Sequence, residues 1–175
     1  MPYLAAAVIL VGAVCALNLA LTMAVIRRLR IHAQQFANMT ARPPFAKPGT
    51  ALPDFTATTS TGTTVSRDFF TATTLVGVFS TSCTACRDRV PEFNGLVRAG
   101  APQPALAVVV GDPEEAGKFG AELEPTATVL TEPGNGPVGK AFQVTSFPTF
   151  YLVDGDAVIT AVSGAPDQLP AVSHA

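Results

Sequence analysis

The chain has 175 residues, 48% of them hydrophobic, with a mean hydropathy of +0.36 and a formal net charge of −2. Hydrophobicity is concentrated in the first 26 residues, so the length accommodates one compact domain and an appendage. Beyond residue 33, eight basic side chains stand against all 13 acids, a net of −5, which excludes the basic surface that nucleic-acid binding requires.

No charged side chain occurs from Tyr3 to Ile26, and about 24 residues at 1.5 Å each match a hydrocarbon core about 30 Å thick. The spacing predicts one transmembrane helix, within an anchor and basic flank over residues 1–30. A cleaved signal peptide would carry a basic start, and no Lys or Arg precedes Arg27. Cys15 reads as a small apolar filler and Asn18 as a tolerated polar residue. Arg27, Arg28 and Arg30 close the span, and by the positive-inside rule they argue for a cytoplasmic domain. A juxtamembrane helix from Ile31 to about Met39, and a semi-rigid spacer from Thr40 to Leu52 holding Pro43, Pro44 and Pro48, make up residues 31–52.

Residues 53–175 are expected to fold around one core. Phe55–Thr58 and Thr63–Val65 flank a Ser-Thr-Gly turn and predict a hairpin. Thr74–Ser80 is nearly all apolar, as in a strand buried on both faces. Val90, Phe93 and Val97 recur at helical spacing over Arg87–Val97. Leu106–Val110 is a second buried strand, and Asp112-Pro113-Glu114-Glu115 starts a helix with an Asp cap and Pro in the first position. A strand over Thr126–Thr131, a loop over Pro133–Pro137, a short helix around Val138–Phe142, and a hairpin made of Phe147–Val153 and Ala157–Val162 complete the order. Strands alternating with helices, with hairpins at both ends, give an α/β sandwich around a mixed sheet.

The chemistry points to Cys83 and Cys86, a C-x-x-C pair between a buried strand and a helix. At the helix N-terminus, unsatisfied N–H groups and the macrodipole favour a thiolate at Cys83, the form that attacks disulfides. Cys86, about one turn deeper on the same face, is placed to resolve a mixed disulfide on Cys83. Two bland readings compete: two small buried residues, or half of a zinc site. Zinc needs about four ligands. The remaining candidates are Cys15 in the apolar run and His32 and His174 near the two ends of the soluble part, so we expect neither metal nor cofactor.

The C-x-x-C helix, Pro91 within it, and Ser146-Phe147-Pro148-Thr149-Phe150 opening a hairpin resemble the thioredoxin superfamily. The anchor, the Pro-rich spacer and the Pro53-Asp54-Phe55 opening are similar to membrane-anchored TlpA-like redoxins and to the thioredoxin-like protein of methylamine utilisation. The resemblance covers residues 50–165 and implies a thioredoxin-like sandwich. It implies a cis Pro148 opposite Cys83, and a Phe147 backbone that binds a substrate chain in β fashion. Two departures stand out: Ser82 precedes the pair where relatives often carry Trp, and Gly77 stands where thioredoxin has its buried proton-accepting aspartate.

The expected function is a membrane-anchored thiol–disulfide oxidoreductase exchanging disulfides with partner proteins, in a direction the sequence leaves open, beside a membrane-bound redox partner. Two alternatives remain. A peroxiredoxin-like peroxidase has Ser80 in its P-x-x-x-[ST]-x-x-C motif but Val76 at its proline. A non-catalytic assembly or metal-delivery module is the other. Against the basic cluster, a tethered exchanger is most useful where disulfides persist. We therefore expect a single-pass protein of the cell membrane with an extracytoplasmic redoxin domain.

Overall fold

The computed structural model describes residues 12, 18–19, 22–23 and 45–170. The expected span Tyr3–Ile26 lies mostly outside these residues, and the basic cluster and juxtamembrane helix lie wholly outside. Among the described residues no helix is long and apolar enough to cross a membrane.

Seven strands are described: β1 (Thr56–Thr58), β2 (Thr64–Ser66), β3 (Thr74–Ser80), β4 (Ala105–Val110), β5 (Thr128–Glu132), β6 (Thr149–Val153) and β7 (Ile159–Ser163). The helices are α1 (Thr84–Arg98), α2 (Pro113–Gly120) and α3 (Pro137–Ala141). β1 and β2 form the expected antiparallel hairpin. The other five strands form one mixed sheet in the order β5-β4-β3-β6-β7, with β3, β4 and β5 parallel and β6 and β7 antiparallel. β3 is the middle strand, and all seven of its residues are buried.

Strand alternation divides the core between the two faces of the sheet. Leu75 and Phe79 face α1, where Phe79, Phe93, Phe119 and Phe150 meet with ring centroids 5.6–6.1 Å apart. Val76 and Val78 face the other way, into a cluster containing Phe55, Phe70, Phe142 and Tyr151. Gly77 lies against two rings of the first cluster, those of Phe79 and Phe93. A Cβ there would stand 2.8 Å from Phe79 Cε2 and 3.0 Å from Phe93 Cε2.

The fold reaches back past the expected start at Pro53. Ala46 and Leu52 are buried, Ala51 bridges Val158, and the Ile159 N–H donates to the Thr50 carbonyl at 2.9 Å. Part of the expected spacer therefore covers the start of edge strand β7, whose backbone groups would otherwise be unpaired. The helix expected over Arg87–Val97 begins three residues earlier, at Thr84, because the extended Cys83 serves as its N-cap and the first turn closes on the Cys83 carbonyl, which accepts from the Cys86 N–H. Asp112 caps α2 as expected, accepting from the Glu114 N–H at 3.1 Å. At the C-terminal side, residues Pro166–Gln168 make only a single 3-10 turn.

Candidate functional site

β3 delivers the chain to the site at its C-terminal end, and Cys83 is the N-cap of α1 in extended conformation. The turn is held by backbone bonds: the Cys83 N–H donates to the Ser80 carbonyl at 3.2 Å and the Cys86 N–H to the Cys83 carbonyl at 3.1 Å. The Thr81 N–H donates to the Val110 carbonyl at 3.0 Å, which fixes the turn to β4.

The two sulfurs occupy unlike surroundings. Cys83 is partly exposed, whereas Cys86 is fully buried among Leu75, Phe79, Val90 and Phe93. Burial pushes the Cys86 thiol up to about 12, the hydrogen bond with the Cys83 side chain adds to the rise, and the Ser80 N–H opposes it. That amide lies 3.4 Å from Cys86 Sγ. Cys83 Sγ–H donates to the Phe147 carbonyl at 3.5 Å, across 64 positions of sequence. The Phe147–Pro148 peptide is cis, and the Phe147 ring is 36% exposed beside this contact. The four positions singled out in the sequence thus sit at one place: the pair at the start of α1, and Phe147 and Pro148 at the entry to β6.

Two residues of this end escaped the sequence reading. Ser80 entered it only as a peroxidase-motif position. Its hydroxyl bonds to the Ser82 hydroxyl at 3.0 Å and its amide to Cys86. A serine closing an otherwise apolar strand was the available signal. Glu132 is the second: buried at the end of β5, it accepts from the Val138 N–H at 2.9 Å and the Gly139 N–H at 2.6 Å and so anchors the start of α3. Burial raises its pKa, and the two amides and Lys140 oppose the rise. An acid directly before the Pro-Gly-Asn-Gly-Pro loop was its signal.

Among the described residues no group of three or more His, Cys, Asp or Glu side chains could hold a metal ion. The pair offers two thiols, one reachable and one sheltered. Such a pair has the chemistry to form a disulfide, either within itself or, through the reachable sulfur, with an outside thiol.

The thioredoxin domain of a thiol-disulfide oxidoreductase from Bacteroides vulgatus superposes with a TM-score of 0.57 at 21% identity, over 67% of this chain and 89% of that one. A thio-disulfide isomerase from Thermus thermophilus gives 0.56 at 21% identity, over 69% and 87%. A secreted disulfide oxidoreductase from Mycobacterium tuberculosis gives 0.54 at 18%, over 64% and 84%. These likenesses establish a thioredoxin-like α/β fold with a central mixed sheet. No curated relative matches the sequence. The model of the AhpC/TSA family matches residues 48–162, more than half of the chain and all of its sheet but Ser163, and the chain belongs to that family.

Proposed function

We propose that the protein is a thiol–disulfide oxidoreductase whose Cys83 exchanges with disulfides of partner proteins and whose Cys86 resolves the mixed disulfide. The observation that carries this reading is the asymmetry of the pair: a reachable thiol at a helix N-terminus, with a sheltered thiol within one turn. Attack by the Cys83 thiolate on a partner disulfide releases one partner thiol and leaves a mixed disulfide. Cys86 then attacks Cys83 Sγ, giving the Cys83–Cys86 disulfide and the second partner thiol. The Phe147 carbonyl borders the sulfur, and Phe147 with the cis Pro148 is the platform this reading assigns to the partner's backbone.

The family also includes the peroxidase reading, which needs a hydroxyl at Ser80 aimed at the attacking sulfur. Here the Ser80 hydroxyl is engaged with Ser82, and Val76 stands at the motif's proline. Both features favour exchange. Under the same proposal the domain is tethered outside the cytoplasm by the Tyr3–Ile26 span, in the manner of TlpA-like redoxins, beside a membrane-bound redox partner.

Cys86→Ala tests the chemistry, because the resolving sulfur is lost and the attacking one kept. Mixed disulfides should accumulate on non-reducing gels, and adducts no more abundant than in a Cys83→Ala Cys86→Ala double variant would overturn the exchange reading. A membrane-impermeant maleimide added to intact, reduced cells tests the placement: Cys83 should label before lysis.

A further inference from the structure

Among the described residues Glu132 is the one buried charged side chain, and no step of the proposed exchange uses it. It ends β5 in register with Val110 of β4, which pairs in turn with Ser80 of β3. The three strands are parallel, so Glu132 stands at the same end of the sheet as the cysteine pair.

The backbone and the side chain of Glu132 hold different things. Its carbonyl accepts from the Gly111 N–H at 3.0 Å, next to Val110, whose own carbonyl holds the Thr81 N–H of the cysteine turn. The carboxylate instead reaches α3, accepting from the Val138 N–H at 2.9 Å and the Gly139 N–H at 2.6 Å. Those two residues serve twice, because their carbonyls accept from the Phe142 and Val144 N–H groups, each at 2.9 Å. Three positions after Val144 comes Phe147, whose carbonyl meets the Cys83 thiol at 3.5 Å. A run of short contacts therefore leads from the carboxylate through α3 to the backbone beside the sulfur.

Capping alone does not account for an acid on β5. Val138 and Gly139 are the second and third residues of α3, and an Asp or Ser at the N-cap would satisfy their N–H groups locally. The N-cap is Gly136, which has no side chain to offer, and a Cβ there would stand 2.3 Å from Glu132 Cδ. The cap is brought in from the sheet, and it occupies the space a local one would need. A local cap would close the first turn and leave α3 free to shift against the sheet. A cap from β5 fixes where α3 sits.

Given the exchange reading above, the effect falls on the partner. We infer that Glu132 is a positioning residue for partner proteins: by pinning α3 to β5, its carboxylate holds Phe147 and Pro148 at the distance from Cys83 that a partner's backbone requires. The cysteine turn depends on the Glu132 carbonyl, which every substitution retains. A change of side chain therefore moves the platform and leaves the sulfurs in place.

The test compares two disulfides on the full chain. Insulin, with dithiothreitol as electron donor, needs the platform. Dithiodipyridine, which reacts with the reduced protein in a single turnover, does not, and Cys15 contributes alike in every variant. Losing one hydrogen bond to a charged acceptor is worth about tenfold in an equilibrium, so Glu132→Gln should raise KM for insulin about tenfold and leave kcat and the dithiodipyridine rate within about twofold of wild type. Glu132→Gly Gly136→Asp, which moves the cap onto α3 itself, should regain thermal stability over Glu132→Gly yet keep the raised KM. An unchanged KM in Glu132→Gln, an equal loss with both disulfides, or full recovery of KM in the double variant overturns the inference and leaves exchange standing. A wild type that speeds insulin reduction no more than Cys83→Ala Cys86→Ala overturns the exchange reading itself.

Discussion

If Cys86 is held as a thiol by burial, the reduced protein should lose stability in alkali through that one group. The Cys86 thiol is raised from 9.0 to about 12, so its folded value lies above its unfolded one. The contribution is therefore complete below about pH 9 and is lost as pH climbs through about 12. Each unit is worth about 1.4 kcal/mol, so between pH 8 and pH 10.5 the loss through Cys86 is about 2 kcal/mol. That is a large share of the roughly 5–15 kcal/mol that holds a domain together. Other groups titrate in the same window, among them Tyr151, whose hydroxyl is also raised by burial and donates to the Phe142 carbonyl at 3.2 Å. Urea unfolding of the reduced protein is therefore compared at both pH values with that of Cys86→Ala, which keeps those groups. The wild type should lose about 2 kcal/mol more than the variant, and the oxidised protein, which has no Cys86 thiol, should not. An excess loss below about 0.5 kcal/mol would refute the reasoning, because the sulfur would then be solvated or paired.

Gly77→Ala should destabilise the domain by about 1–3 kcal/mol in urea unfolding, since its Cβ meets the Phe79 and Phe93 rings and both pack against Phe150. Gly77→Asp should cost more, because an unpaired carboxylate is added in the same space; a variant as stable as wild type would show that the rings yield. Glu132→Ala should cost about 1–3 kcal/mol by leaving the Val138 and Gly139 N–H groups without their acceptor. Glu132→Gln, which keeps one acceptor oxygen, should cost less, and thermal unfolding distinguishes the two.

The sheet was legible because β3 and β4 are apolar runs of strand length and the helices between strands carry their own punctuation, as at Asp112 and Pro113. The cysteine pair was legible from spacing, since C-x-x-C between a strand and a helix places the two sulfurs one turn apart whatever surrounds them. What the spacing does not carry is the environment of each sulfur, and that depends on residues distant in sequence. Phe147 reaches Cys83 across 64 positions. The pocket of Cys86 is assembled from β3 and α1, packed together with Phe119 and Phe150. Gly77 was visible as a departure from the thioredoxin pattern, but what occupies the place of the missing side chain was not. In the fold two phenyl rings take it, and the same absence becomes an apolar wall. The sequence therefore named the sulfurs and left their surroundings open, because those are built from side chains that meet only after β3 is paired and α1 is docked.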